Sequence, residues 1–289
     1  MPYQAKLVAA GLRTSTSGKR VVSPFSAEEY LHNLINPIRN MGTSKIPDLA
    51  SYPTSVYSEQ TEFTVDCNGS GVGGFAFWLY PAAKYSTETA ATTDAAIVYT
   101  ADINFSGNTD IQATFQRHRL VGFGFEYEYV GNDTNNQGQV GLSYVTGAEA
   151  SKTTFDAILN SRDGVDGAAK WGGFGRYRPL DQADFDMHDT TSTSKIWAKI
   201  QVHFSACSAG AKFRVRATAH WEGITKLDNV AFTDLSDSPV NPLMLAAVQT
   251  VAQPFMSVGL YDVSKNQMDL DYQEALGMLR QLGGGPASK

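Results

Sequence analysis

The run from Arg119 to Val130 constrains this chain more than any other. Val121, Phe123, Phe125, Tyr127 and Tyr129 alternate with Gly122, Gly124, Glu126 and Glu128. Strict alternation puts the large apolar side chains on one face of a β-strand and the small and acidic ones on the other. Five large side chains in one row imply a deep core.

Period two governs most of the remaining sequence. Phe63, Val65 and Cys67 alternate with Glu62, Thr64 and Asp66, and Phe75 to Tyr80 is apolar on both faces until Pro81. Gln139 to Val145 carries Val140, Leu142 and Tyr144. The turn before it, residues 131–138 (GNDTNNQG), is rich in residues that tolerate positive φ, and it predicts a hairpin with the Arg119 strand. Ile196 to Ala206 and Phe213 to Trp221 alternate likewise, and Ser208-Ala209-Gly210 predicts that these two pair. Ile97 to Phe105 alternates within Thr- and Ala-rich surroundings and reads as an insertion. Eight strands are predicted, near 61–67, 74–80, 119–130, 139–145, 174–179, 196–206, 212–222 and 255–263.

Helical signals fall only in connections and at the ends. Ser26-Ala27-Glu28-Glu29 is a capping box ahead of the stripe Tyr30, Leu31, Leu34 and Ile35, which Pro37 terminates. Residues 41–53 (MGTSKIPDLASYP) read as an extended linker, and Thr153 to Asn160 as a short helix. Asn241 caps a helix with Pro242 at its first position, ending at Pro254. Asp271-Tyr272-Gln273-Glu274 opens a last helix with Leu276, Leu279 and Leu282 apolar and Gly283 at its end. The expected fold is all-β, an eight-stranded antiparallel jelly-roll sandwich with short helices in connections and at both termini. The expected organisation is an arm with a short amphipathic helix over 1–53, a jelly roll over 54–265, and a helix with a flexible tail over 266–289.

A composition of 42% hydrophobic and 18% charged residues excludes a disordered or fibrous chain. No apolar stretch approaches the roughly 20 residues of a membrane-spanning helix, and the start has no run of signal-peptide length, so a soluble, intracellular chain is expected. Two cysteines, Cys67 and Cys207, are too few for a disulfide scaffold or a cysteine-based zinc site and read as free thiols. Within the net charge of −6, residues 1–27 carry only Lys6, Arg13, Lys19 and Arg20, so a short basic arm precedes an acidic body. Such an arm can touch phosphates, although four charges neutralise little nucleic acid. An unpatterned flexible terminus has the same composition.

Several groups could carry chemistry, each beside a plainer explanation. Glu126 and Glu128 share a strand face, as paired glycosidase carboxylates do, but solvated strand faces carry acids routinely. Residues 133–138 resemble the front of a calcium loop, yet position twelve is Tyr144 and a hairpin loop explains them. Asp184, Asp186 and Asp189 around His188 could bind a divalent ion shared between subunits, or form a solvated acidic loop. Gly69, Gly71, Gly73 and Gly74 separate two strands and are a turn. The five histidines show no metal-ligand spacing, and no GxSxG, P-loop or paired-cysteine motif occurs. Lys212, Arg214, Arg216 and His220 alternate onto one face, with Lys195 and Lys199 on the strand expected to pair with theirs. That basic row could contact nucleic acid or an acidic neighbour, or simply be solvated.

The order of elements and four phrases resemble the single-jelly-roll capsid proteins of nodavirus-like and tombusvirus-like small icosahedral viruses, over roughly residues 36–265. The phrases are Asn36-Pro37 through Lys45-Ile46-Pro47-Asp48; Arg119-Leu120-Val121-Gly122-Phe123-Gly124-Phe125; Tyr129-Val130-Gly131-Asn132 through Asn135-Asn136-Gln137-Gly138-Gln139; and Gly175-Arg176-Tyr177-Arg178-Pro179-Leu180. The resemblance implies a non-enzymatic subunit that self-assembles into a shell around a viral nucleic acid genome, in a virion assembled inside the host cell, with calcium between subunits in several members. Two departures are the short basic arm and the lack of a separate protruding domain. Self-cleavage near the carboxyl terminus, known in some members, has no evident site here, since Asn241 precedes proline and Asn266 precedes glutamine. Two other functions fit a β-sandwich: a carbohydrate-binding module using Trp78, Trp171, Trp197 and Trp221, and a glycosidase using Glu126 and Glu128.

Overall fold

The computed structural model describes residues 27–40, 44–47, 53–79, 81, 84–87, 103–105, 108–132, 137–146, 152, 154–161, 163–177, 179, 182–192, 197–226, 236–237, 241–255, 258–261 and 266–282. Helix α1 (Ala27–Ile35) precedes β1 (Pro53–Asp66) and β2 (Gly73–Leu79). Short strands β3 (Lys84–Thr87) and β4 (Ile103–Asn104) and helix α2 (Asn108–Thr114) lead to β5 (Phe115–Tyr129) and β6 (Gln139–Thr146). Next come α3 (Phe155–Leu159), β7 (Gly164–Ala168), β8 (Gly173–Arg176) and β9 (His188–Asp189). The chain continues through β10 (Ala198–Ser205), β11 (Lys212–Thr225), β12 (Ser236–Asp237), α4 (Pro242–Ala252), β13 (Val258–Leu260) and α5 (Gln267–Leu282). Most of the Ile97 to Phe105 run, residues 1–26 with the Ser26 cap, residues 133–136 and Gly283 lie outside the described residues.

The strands form two antiparallel sheets, ordered β12-β1-β11-β5-β8-β13, with β9 also on β5, and β4-β3-β2-β10-β6-β7. Successive strands β1 and β2, β5 and β6, β7 and β8, and β10 and β11 fall in opposite sheets, which is the jelly-roll wrapping. Neither expected hairpin forms. β5 pairs with β11 and β8 while β6 pairs with β10 and β7, and β10 pairs with β2 and β6 while β11 pairs with β1 and β5. The connections after β5 and after β10 lead to the facing sheet instead of back along the same one. The crossovers stitch to each other: Cys207 N donates to Gly71 O at 3.0 Å and Gly210 N to Cys67 O at 2.9 Å. Gly71 sits at φ +75°, where an added Cβ would lie 2.1 Å from Cys207 O, so this crossing requires glycine. The sequence reading also missed β7 and α2, and among the described residues of the expected 255–263 strand Val258–Leu260 are regular strand, on an edge.

The inward faces fill with aromatic rings. Phe204 stacks on Phe213 at 3.8 Å between ring centres, and Phe75 meets Phe125 edge-on at 5.4 Å. Each such ring contributes about 1.5–3 kcal/mol by leaving water. Both cysteines are free and buried. Val121 departs from the expected inward row. A bulge opposite His220 and Trp221 shifts the register, so Leu120 faces the sandwich and Val121 joins a second core on the outer side.

That outer core is a helical layer. Tyr30, Leu31, Leu34 and Ile35 of α1 pack with Val248 of α4, Leu276 and Leu279 of α5, and Val121. The two end-helix stripes therefore bury against their own chain, except Leu282, which stays 44% exposed. Gly122 and Gly124 make room for the layer, since an added Cβ would lie 2.2 Å from Asn33 O and 2.5 Å from Pro37 Cγ respectively. Among the described residues, no helix is long and apolar enough to cross a membrane.

Candidate functional site

The outer face of the β1-β11-β5 sheet holds the predicted basic row, and the structure supplies what periodicity on one strand could not show. Register places Glu62, Arg216 and Glu126 side by side, and then Thr64, Arg214 and Glu128. Arg216 Nε donates to Glu62 at 2.8 Å, and its Nη1 lies 3.9 Å from Glu126. Arg214 Nε donates to Glu128 at 2.8 Å, and Lys212 Nζ lies 3.4 Å from Asp66. The Glu128 carboxylate holds the Arg214 guanidinium above its ordinary pKa. Lys212, Arg214 and Arg216 thus share a face as predicted, but four carboxylates interleave with them. Such exposed pairs are screened by solvent and contribute little net stability, so the ladder selects strand register more than it stabilises the fold.

The rest of the row is corrected. His220 lies beneath the helical layer, 2% exposed, with Nε2 donating to Pro37 O at 2.8 Å and Nδ1 meeting the Ser58 hydroxyl at 2.7 Å. Burial lowers its pKa to about 4. Lys199 belongs to the opposite sheet, with its ammonium 5.0 Å from the centre of the Trp78 ring. Lys195, and the arm residues Lys6, Arg13, Lys19 and Arg20, lie outside the described residues.

Glu126 and Glu128 do not face an open substrate channel. They border a cleft of about 170 Å³ with Arg39, Trp171, Tyr261 and the two arginines, and Tyr261 donates to Glu126 at 3.5 Å. Glu128 Oε1 is held by Arg214 Nε and Nη2, which favours a paired carboxylate over one poised for proton transfer to a sugar. The four tryptophans do not converge on a sugar platform. Trp197 and Trp221 pack in the core, Trp78 lies on the other sheet, and Trp171 alone of the four is exposed, at 40%.

Asp184, Asp186 and Asp189 do not assemble a cation site within one chain. Asp184 is buried and Asp186 exposed, while Asp189 accepts from the Thr191 hydroxyl and amide at 2.6 and 2.9 Å, which lowers its pKa. Among the described residues, no three His, Cys, Asp or Glu side chains are placed to hold a metal ion.

The ionic feature that the sequence did not expose lies at the far end of the same sheet. Arg119 and Glu222 are both fully buried and pair at 2.8 Å. Arg119 also donates to Phe185 O at 2.9 Å and Ile46 O at 3.2 Å, and Glu222 accepts from Thr54 Oγ1 at 2.7 Å and Ile46 N at 3.1 Å. The network ties residues 44–47 to the sheet. At the edge, Arg176 bonds Asp271 of α5 at 2.7 Å.

No family model matches the sequence, nor does any curated protein. Solved structures do match. The protein of the infectious bursal disease virus T13 viral particle aligns with 88% of this chain and 98% of its own, at TM-score 0.63 and 7% identity. Particles derived from the same virus with T=1 symmetry align with 90% of this chain and 97% of theirs, at 0.62 and 8%. The VP2 subviral particle aligns with 88% of this chain and 99% of its own, at 0.60 and 9%. The chain shares the VP2 fold. At such low identity the shared property is the architecture, in which two wrapped antiparallel sheets carry short helices.

Proposed function

We propose that this chain is the coat subunit of a small non-enveloped virus. Many copies close into an icosahedral shell around a nucleic acid genome, and the subunit performs no turnover chemistry. The observation that carries this reading is the VP2 fold extending over about nine tenths of the chain, in proteins whose structures were solved as viral and subviral particles. A fold alone does not fix a function, but the surfaces agree with this one. The candidate carboxylate pair is occupied by arginines, and the basic row is neutralised within the subunit, which leaves genome contact to the arm residues Lys6, Arg13, Lys19 and Arg20. The virion is the site of function, with assembly in the host cell. A calcium ion between subunits would need a ligand from a neighbouring copy beside the exposed Asp186 and Asp189. Electron microscopy of the purified protein is the test. Closed particles are expected, and a monodisperse monomer across all salt and pH conditions overturns the reading.

A further inference from the structure

Among the described residues, α5 is the one helix with a glycine inside it, Gly277, and no described neighbour requires that residue. Inside a helix only proline is less favourable. Gly122 and Gly124 are required by the helical layer pressed against them, whereas an added Cβ at Gly277 would meet nothing within 4 Å. Among the described residues, close packing within the subunit therefore does not call for this glycine.

The surroundings say what kind of partner fits. At about 100° per residue, the side of α5 centred on Met268, Ala275 and Leu279 is buried in the helical layer. Gly277 sits at the middle of the opposite side. Leu270 lies two turns before it on the same line and is 54% exposed, and Gln273, Glu274, Arg280 and Gln281 flank it, all exposed. Glu274 precedes Gly277 by three residues and Arg280 follows it by three. A second α5 laid antiparallel, glycine over glycine, brings Glu274 to the partner's Arg280 and Gln273 to the partner's Gln281, and repeats both contacts across the axis. A face whose charges complement their own rotated copy is the requirement of a two-fold contact. A glycine at the crossing lets the backbones approach closely enough for dispersion contacts to accumulate.

We propose that this face of α5 is a two-fold contact between copies of this chain, with two α5 helices crossing antiparallel at Gly277. The proposal rests on the shell-subunit reading and names one of its lateral contacts. Arg280 bonds Glu28 of its own chain at 3.1 Å while 60% exposed, so the pair across the axis extends an existing ionic group.

The test is a Gln273→Cys/Gln281→Cys variant of the full chain, which keeps Gly277, oxidised and run on a non-reducing gel beside Thr250→Cys, which sits on an exposed position of α4. Both native thiols are buried. A disulfide needs Cα atoms about 4.4–6.8 Å apart, a separation that a close crossing supplies. Cross-linked dimer is expected to accumulate roughly tenfold faster for Gln273→Cys/Gln281→Cys, because the crossing raises the effective thiol concentration. Glu274→Arg and Arg280→Glu should each weaken the dimer, and the double variant should restore it. Cross-linking no faster than at Thr250→Cys overturns the proposal, as does a double variant no better than Arg280→Glu alone. Particles without this cross-link leave the coat reading standing and remove the two-fold. Cross-linked dimers that never form particles do the reverse.

Discussion

The Arg119–Glu222 pair shows how one residue's surroundings decide the sign of its contribution. Two charges at zero exposure lose their hydration, and here every partner needed to offset that loss is supplied by Phe185 O, Ile46 O, Thr54 Oγ1 and Ile46 N. Removing one member strands the other. Arg119→Met is therefore expected to lower unfolding free energy by about 3–5 kcal/mol, while Arg119→Met combined with Glu222→Leu should cost less than the single change. Urea titration of the three proteins checks this, and a double variant less stable than the single one contradicts it. The sequence could not reveal the pair. Residues 119 and 222 each sit in an alternating run, and an acid or base on a strand's polar face reads as solvated until another element covers it. The same blindness hid the acids beside Arg214 and Arg216, since they stand on neighbouring strands and only register brings them together.

At the scale of elements, the helical layer is attached to the sheet partly through histidine. His220 clasps Pro37 O just beyond α1, and His118 stacks on Trp221 at 4.7 Å with Nε2 donating to Pro81 O at 2.8 Å. Burial lowers both pKa values to about 4, against about 6.5 unfolded. Above about pH 6.5 both rings are neutral in either state and stability is at its full value. As pH falls from there toward 4 the unfolded chain takes up protons first, so up to roughly 3 kcal/mol per histidine is lost over that window. The expected result is a urea midpoint that falls between pH 6.5 and 4, with a shallower fall in His220→Gln. An unchanged slope would remove His220 from the account. The elements themselves were largely legible: the long strands and the stripes of α1 and α5 come from strong periodicity and α4 from its Asn241 cap, although α5 starts at Gln267, a turn before the Asp271 expected to open it. Their partners were not. A turn such as Ser208-Ala209-Gly210 has the same local chemistry whether the next strand returns beside the last or crosses to the facing sheet. Nor could β7, with the sequence GVDGA, announce itself, since glycine and alanine leave no alternation to read.

For the whole molecule, the distribution of charge separates two tasks. The sheet face pairs Arg214, Arg216 and Lys212 with carboxylates, so of the residues singled out for nucleic acid Lys6, Arg13, Lys19 and Arg20 are the ones left to test. Replacing those four with alanine is expected to lower the nucleic acid content of assembled particles, read as a falling 260/280 absorbance ratio. With so few charges involved, the salt dependence of any binding should be shallow, since each phosphate neutralised adds only about −0.7 to −0.9 to the slope of log affinity against log salt. An unchanged ratio dissociates the arm from the genome.

The wrapping order also sets a timetable. β1 lies against β11 from Ser55, facing Gly223, to Asp66, facing Lys212. A ribosome adding about 5–20 residues per second finishes β1 many seconds before it makes the strand that β1 must join. Through that interval a half-made subunit presents an open strand edge to its neighbours on the same messenger. Such an edge is a template for pairing with another chain, so the hazard of premature association lasts until β11 is made and covers β1.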